Sequence, residues 1–127
     1  MAKPWTSAQL TAGLRRTRAI ALSLPEATEA LTWGTDINFR IRNKIFCFAG
    51  NGGGMTVKAH PQELAALLQD PRFRPARYLA RAGWVTVDHQ GGGAPSTVDW
   101  DEVRELIETS YCLIAPKKLA AQVMQPE

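Results

Sequence analysis

The stretch from Ile37 to Lys58 constrains this chain more than any other. Ile37, Phe39 and Ile41 alternate with Asn38, Arg40 and Arg42. Side chains along a strand point to opposite faces in turn, so a period of two gives a strand with one apolar face and one polar face. Arg42-Asn43-Lys44 reads as a tight turn, and Ile45 to Ala49 returns as a second strand. Gly50-Asn51-Gly52-Gly53-Gly54 makes a second turn, since glycine and asparagine tolerate positive φ. Met55 to Lys58 is the third strand, with Met55 and Val57 on one face and Thr56 and Lys58 on the other. An antiparallel meander of this kind must bury its apolar face against another layer.

Helical patterns supply that layer. The first helix runs from Thr6 or Ser7 to Leu22, capped by Ser7, with Leu10, Leu14, Thr17 and Ala21 at helical spacing. Leu24-Pro25 ends it, because the residue before proline is pushed out of the helical region. A short extended piece is expected around Leu31-Thr32-Trp33. A second helix has Pro61 in its first turn and Asp70-Pro71 as its stop. Arg72 to Leu79 reads as irregular and basic, and Trp84 to Asp88 as a further strand. Asp99 starts a third helix, with Glu102 at capping-box spacing, and Pro116 opens a short last one. The order predicts an α+β fold: one antiparallel β-sheet, a meander of hairpins, packed against helices. Leu10, Leu14, Leu64, Leu68, Val103, Ile107 and Ile114 are expected to cover the sheet.

The 127 residues, 45% hydrophobic, suit a single domain over residues 1–127 with a core of its own. No apolar run approaches the roughly 18 residues of a membrane span. The N-terminus leads into no apolar signal region, so a cytoplasmic protein without a membrane partner is expected. Cys47 and Cys112 each sit in an apolar run, which predicts free, mostly buried thiols.

Catalytic and metal chemistry find little support. Neither glycine run has the spacing or the following helix of a phosphate loop. His60 precedes a helix, where its ring can stand in for an N-cap, and His89 adjoins Asp88 at a strand end. No thiol or serine stands beside either in a nucleophilic arrangement. No HExxH, CxxC or HxH spacing offers converging metal ligands. The expectation is a non-enzymatic protein with no cofactor and no metal.

Charge offers more. Residues 1–60 carry eight Lys/Arg against three acids, a balance of +5, whereas residues 91–127 carry three against six, a balance of −3. By strand parity Arg40, Arg42 and Lys58 face away from the apolar side, and Lys44 sits in the turn. Arg72, Arg74, Arg77 and Arg81 form a second basic stretch. Such a surface suits phosphates, which Arg and Lys contact without reading sequence. The alternative is an ordinary wet sheet face. Trp33, Tyr78 and Trp84 lie at element edges near arginines, open to a stacking or a core role.

The whole succession resembles a known family. It comprises Leu24-Pro25-Glu26, Trp33-Gly34, Asn38-Phe39-Arg40-Ile41, Lys44-Ile45-Phe46-Cys47 and Thr56-Val57-Lys58. Arg74-Pro75-Ala76-Arg77-Tyr78-Leu79, Gly83-Trp84-Val85-Thr86-Val87, Ser110-Tyr111 and Pro116-Lys117-Lys118 complete it. Order and spacing together resemble the MmcQ/YjbR family, over most of the chain. The resemblance implies an antiparallel sheet with packed helices and a DNA-binding role through a double wing of hairpins. The matching positions are Lys44, Lys58, Tyr78, Trp84, Ser110 and Tyr111, and the two glycine runs depart from the pattern. With the parity argument, the expected nucleic-acid contacts are Arg40, Arg42, Lys44, Lys58, Arg74, Arg77, Tyr78 and Trp84. A domain that binds a protein or peptide through an apolar groove is the second reading.

Overall fold

A computed structural model of the chain describes residues 7–32, 36–49, 54–77, 79–88 and 98–124. Helix α1 (Ser7–Leu22) leads into strands β1 (Thr28–Thr32), β2 (Asp36–Ile41), β3 (Lys44–Ala49) and β4 (Gly54–Lys58). A one-turn helix α2 (Leu64–Leu67), strand β5 (Phe73–Pro75) and a 3₁₀ turn (Ala80–Ala82) precede β6 (Trp84–Asp88). Helices α3 (Trp100–Ile114) and α4 (Lys117–Met124) follow. The six strands form one sheet in the order β1-β2-β3-β4-β6-β5, every pair antiparallel. The fold is therefore α+β, as the alternation and the hairpin turns require.

Two strands exceed the sequence expectation. The piece near Leu31 pairs with β2 as a full edge strand, Thr28 opposite Arg40 and Thr32 opposite Asp36. The stretch read as irregular after Arg72 contains β5, which pairs with β6 at the other edge. Pro75 conceals it in the sequence, and an edge strand tolerates a proline because one of its sides needs no donor.

Register assigns the faces. Phe39, Cys47, Val57 and Val85 stand opposite one another across four strands, and Ala49, Met55, Val87 and Phe73 make the next row. All eight are buried, against Ile20, Ala21 and Leu24 from the α1 end and Val103, Ile107 and Tyr111 of α3. Both Phe46 and Cys47, neighbours in β3, are fully buried, which strict alternation forbids. The register explains it: Phe39 pairs with Cys47 but Arg40 with Ile45, so Phe46 is the extra residue of a β-bulge. The bulge turns the Phe46 ring inward, where it meets Tyr111 edge-on at 5.2 Å.

The second helix is shorter than its pattern. None of α2 is buried. Leu64 and Leu67 only flank the core, and Leu68 is exposed rather than covering the sheet. Leu14 packs at the margin of the core, while the side chain of Leu10 lies outside the described residues. At Gly54 a Cβ would come within 2.7 Å of the Val87 carbonyl oxygen, so only glycine lets β4 lie this close to β6.

Candidate nucleic-acid interface

One end of the sheet collects the basic residues. Strand β2 finishes there, the two-residue loop Arg42-Asn43 turns the chain, and β3 starts at Lys44. Both loop residues have positive φ, 51° and 67°, the pattern of a type I′ turn whose twist matches the strands it joins. Strand β4 ends at Lys58, opposite Trp84, where β6 begins. The β5–β6 connection carries Arg77 and Arg81 and closes on Gly83, whose φ of 85° suits glycine. Arg40, Arg42, Lys44, Lys58, Arg77 and Arg81 thus share an end. The opposite end carries Asp36 and Asp88 at the strand termini.

Sharing an end differs from sharing a face. On the side of the sheet away from α1 and α3, register aligns Asn38, Phe48, Thr56, Thr86 and Arg74 in one row. Arg40 in β2 and the Lys58–Trp84 pair stand on the same side. Arg42 sits in the turn that the sequence predicts, so strand parity does not set its side, and its guanidinium grips Glu26 with two bonds, 2.7 and 3.1 Å. That bond lowers the Glu26 carboxyl below its ordinary range and raises Arg42. Glu26 itself holds a φ of 59° just after the end of α1. Nothing in the spacing of Glu26 and Arg42 signals the pair, because the sheet brings together residues that neither strand nor helix periodicity relates.

The remaining candidates fall out as follows. Arg40 lies along its own face, its Nε donating to Asn38 Oδ1 at 2.9 Å and its Nη1 to Asn43 Oδ1 at 3.2 Å. Lys44, Arg74 and Arg77 are exposed, and Lys58 is half-buried. Among the described residues Lys44, Lys58 and Arg74 have no carboxylate partner. Trp84 is only 9% exposed and packs against Phe48 at 5.9 Å, so its ring is not presented for stacking. Tyr78, Trp33 and His89 lie outside the described residues. Arg72 sits at the far end of the sheet, its carbonyl accepting from the Asp88 amide. Its guanidinium is held between Asp70 and Glu102, both at 2.8 Å.

Ser110 and Tyr111 prove to be joints. Register pairing of β3 with β4 stops at Cys47 and Val57. Beyond it the Ser110 hydroxyl enters between the strands, donating to the Phe46 carbonyl at 2.6 Å and accepting from the Lys58 amide at 2.9 Å. Tyr111 donates its hydroxyl to the Pro25 carbonyl at 2.6 Å. The two side chains pin α3 to the sheet and to the α1–β1 connection, and so set where Lys58 and Glu26 stand. His60 does not cap α2: its Nδ1 accepts from the Gln62 amide at 3.1 Å in the turn before the helix, whose N-cap, Glu63, has no side-chain cap bond. Asp99 caps α3 by accepting from the Asp101 and Glu102 amides, but Glu102 leaves the expected box to bind Arg72. Cys47 and Cys112 are free, the first fully buried and the second half-buried.

A six-stranded antiparallel sheet with helices over one face and cations gathered at one end defines an α+β domain with a basic rim. A family model, YjbR, matches residues 22–113, and the chain belongs to the YjbR family. The crystal structure of Deinococcus radiodurans protein DR2400, family-model domain DUF419, superposes with a TM-score of 0.68. It shares 21% sequence identity over 95% of this chain and 92% of that one, a likeness of fold. No curated protein matches the sequence. Among the described residues, no helix is long and apolar enough to cross a membrane.

Proposed function

We propose that this protein binds DNA without catalysis, through phosphate contacts made by the basic end of its sheet. One observation carries the reading: two loops rich in Arg and Lys leave the same end of the sheet. The β2–β3 turn and the β5–β6 connection are separated by three strand spacings, about 14 Å at roughly 4.8 Å each. That is close to the roughly 12 Å width of the major groove. The two loops are then the double wing expected of the family, one carrying Arg40, Arg42 and Lys44, the other Arg77 and Arg81, with Lys58 between them. Arg74, further along the outer face, is a peripheral contact. Phosphate contacts position a protein but carry no base information, so the binding is of low specificity.

The test is fluorescence anisotropy on labelled duplexes of different sequence. Arg40→Ala and Lys58→Ala should each weaken binding to every duplex about equally and reduce the salt slope by roughly one. Loss confined to one sequence, or an unchanged slope, would count against phosphate contact at these residues.

A protein-binding role has one observation in its favour. A groove of about 300 Å³ runs between α2 and α3, with Leu67, Leu106 and Met124 among Glu63, Glu105 and Glu108. Its lining is mostly acidic and suits a cationic peptide, but Lys58 and His60 line it too, so the groove adjoins the basic end of the sheet.

A further inference from the structure

Strand β1 is an edge with few of the usual defences: its one charge, Glu29, is paired with Arg18. Its sequence, Thr28-Glu29-Ala30-Leu31-Thr32, contains no proline, no lysine and no bulge, and all five residues pair in register with β2. Natural edge strands are commonly blunted by those features, because alternate backbone N–H and C=O groups point outwards and can template another strand. Among the described residues, Thr28 to Leu31 make no backbone hydrogen bond beyond those to β2. Leu31 is 63% exposed, on an edge that ends a fully paired sheet. The opposite edge is different: β5 has three residues and one of them is Pro75.

We infer that β1 is a self-association edge, pairing antiparallel with β1 of a second copy so that Ala30 stands opposite Ala30. The chemistry of the strand favours its own copy as the occupant. In that register Thr28 faces Thr32, Glu29 faces Leu31, and Ala30 faces Ala30, so no two like charges stand opposite one another. The one charge, Glu29, is already held by Arg18 through bonds of 2.7 and 3.3 Å, which leaves its methylenes to meet Leu31 of the partner. Leu31 and its copy are diagonal neighbours on one face, within reach of each other at roughly 7–8 Å. A two-fold interface of this kind is self-complementary and closes at two chains. It is small, so association is weak and concentration-dependent.

The inference is independent of DNA binding and is tested without it. Directly opposed residues in antiparallel strands have Cα atoms roughly 4.5–5.5 Å apart, within disulfide range. Ala30→Cys should therefore give a covalent dimer under mild oxidation, whereas Leu31→Cys, beyond the roughly 7 Å limit from its copy, should not. Sedimentation of the unmodified protein should show mass rising with concentration, and Leu31→Lys should abolish the rise while leaving the unfolding transition in place. Crosslinking at Leu31→Cys in preference to Ala30→Cys would overturn the register. A monomer at every concentration, with no crosslink at Ala30→Cys, would overturn the interface.

Discussion

Single side chains decide more here than their exposure implies. Ser110 is fully buried and satisfies two backbone groups that would otherwise face each other across a gap between β3 and β4. Ser110→Ala leaves the Lys58 amide without an acceptor and the Phe46 carbonyl without a donor, and should destabilise the fold by about 1–3 kcal/mol in urea titrations. Tyr111→Phe loses one bond and should cost about 1 kcal/mol. Burial pushes the Cys47 thiol up to about 12. The folded state therefore favours the neutral thiol; its contribution is complete below the ordinary thiol range and is lost as pH rises from there through about 12. A thiol-reactive dye at neutral pH should leave Cys47 untouched until the protein unfolds, and label the half-buried Cys112 slowly. The burial of Cys47 was legible from its apolar run. The role of Ser110 was not, since a serine on a helix face carries no mark of the strand gap it will fill.

Elements were legible where periodicity is local. The β2 and β3 alternation, the Arg42-Asn43 turn, the β6 strand and the α3 and α4 helices all follow from short-range pattern and capping chemistry. What escaped were features set by partners. The extended piece near Leu31 was legible but not its full length or pairing as β1; β5 is short and carries a proline, and the bulge at Phe46 exists only relative to β2. The helical spacing after Pro61 overstated α2, which closes after one turn. The hairpin tip offers two measurements. Asn43 has a φ of 67°, so Asn43→Val should cost about 1–2 kcal/mol by unfolding, whereas Asn43→Gly should cost less despite losing the Arg40 bond. The tip is also tied to the α1–β1 connection by Arg42 and Glu26. Because Glu26 titrates below its ordinary range, this tie is present above that range and is lost as pH falls through the lowered value. The melting temperature of the wild type should therefore fall more on acidification than that of Glu26→Gln, by a small margin since the pair is exposed.

At the scale of the whole molecule the chain separates charge. The +5 of the first sixty residues pointed to one anionic partner; Arg40, Arg42, Lys44 and Lys58 of that stretch gather at one end of the sheet rather than on one face, while Arg15, Arg16 and Arg18 lie on α1. Parity could place Arg40 and Lys58 on one side of a strand, but only strand order could bring the β5–β6 connection to the end that holds the β2–β3 turn. Sequence reasoning also could not see which cations are already engaged: Arg42 with Glu26, and Arg72 with Asp70 and Glu102. Five further cations stand at that end: Arg40, Lys44, Lys58, Arg77 and Arg81. The most direct test is the salt dependence of wild-type binding to duplex DNA, read by anisotropy. If those five meet phosphates, log affinity should fall linearly with log salt at a slope of roughly −4 to −5, about 0.9 for each. A slope near zero, or no binding at low salt and high protein concentration, would contradict it.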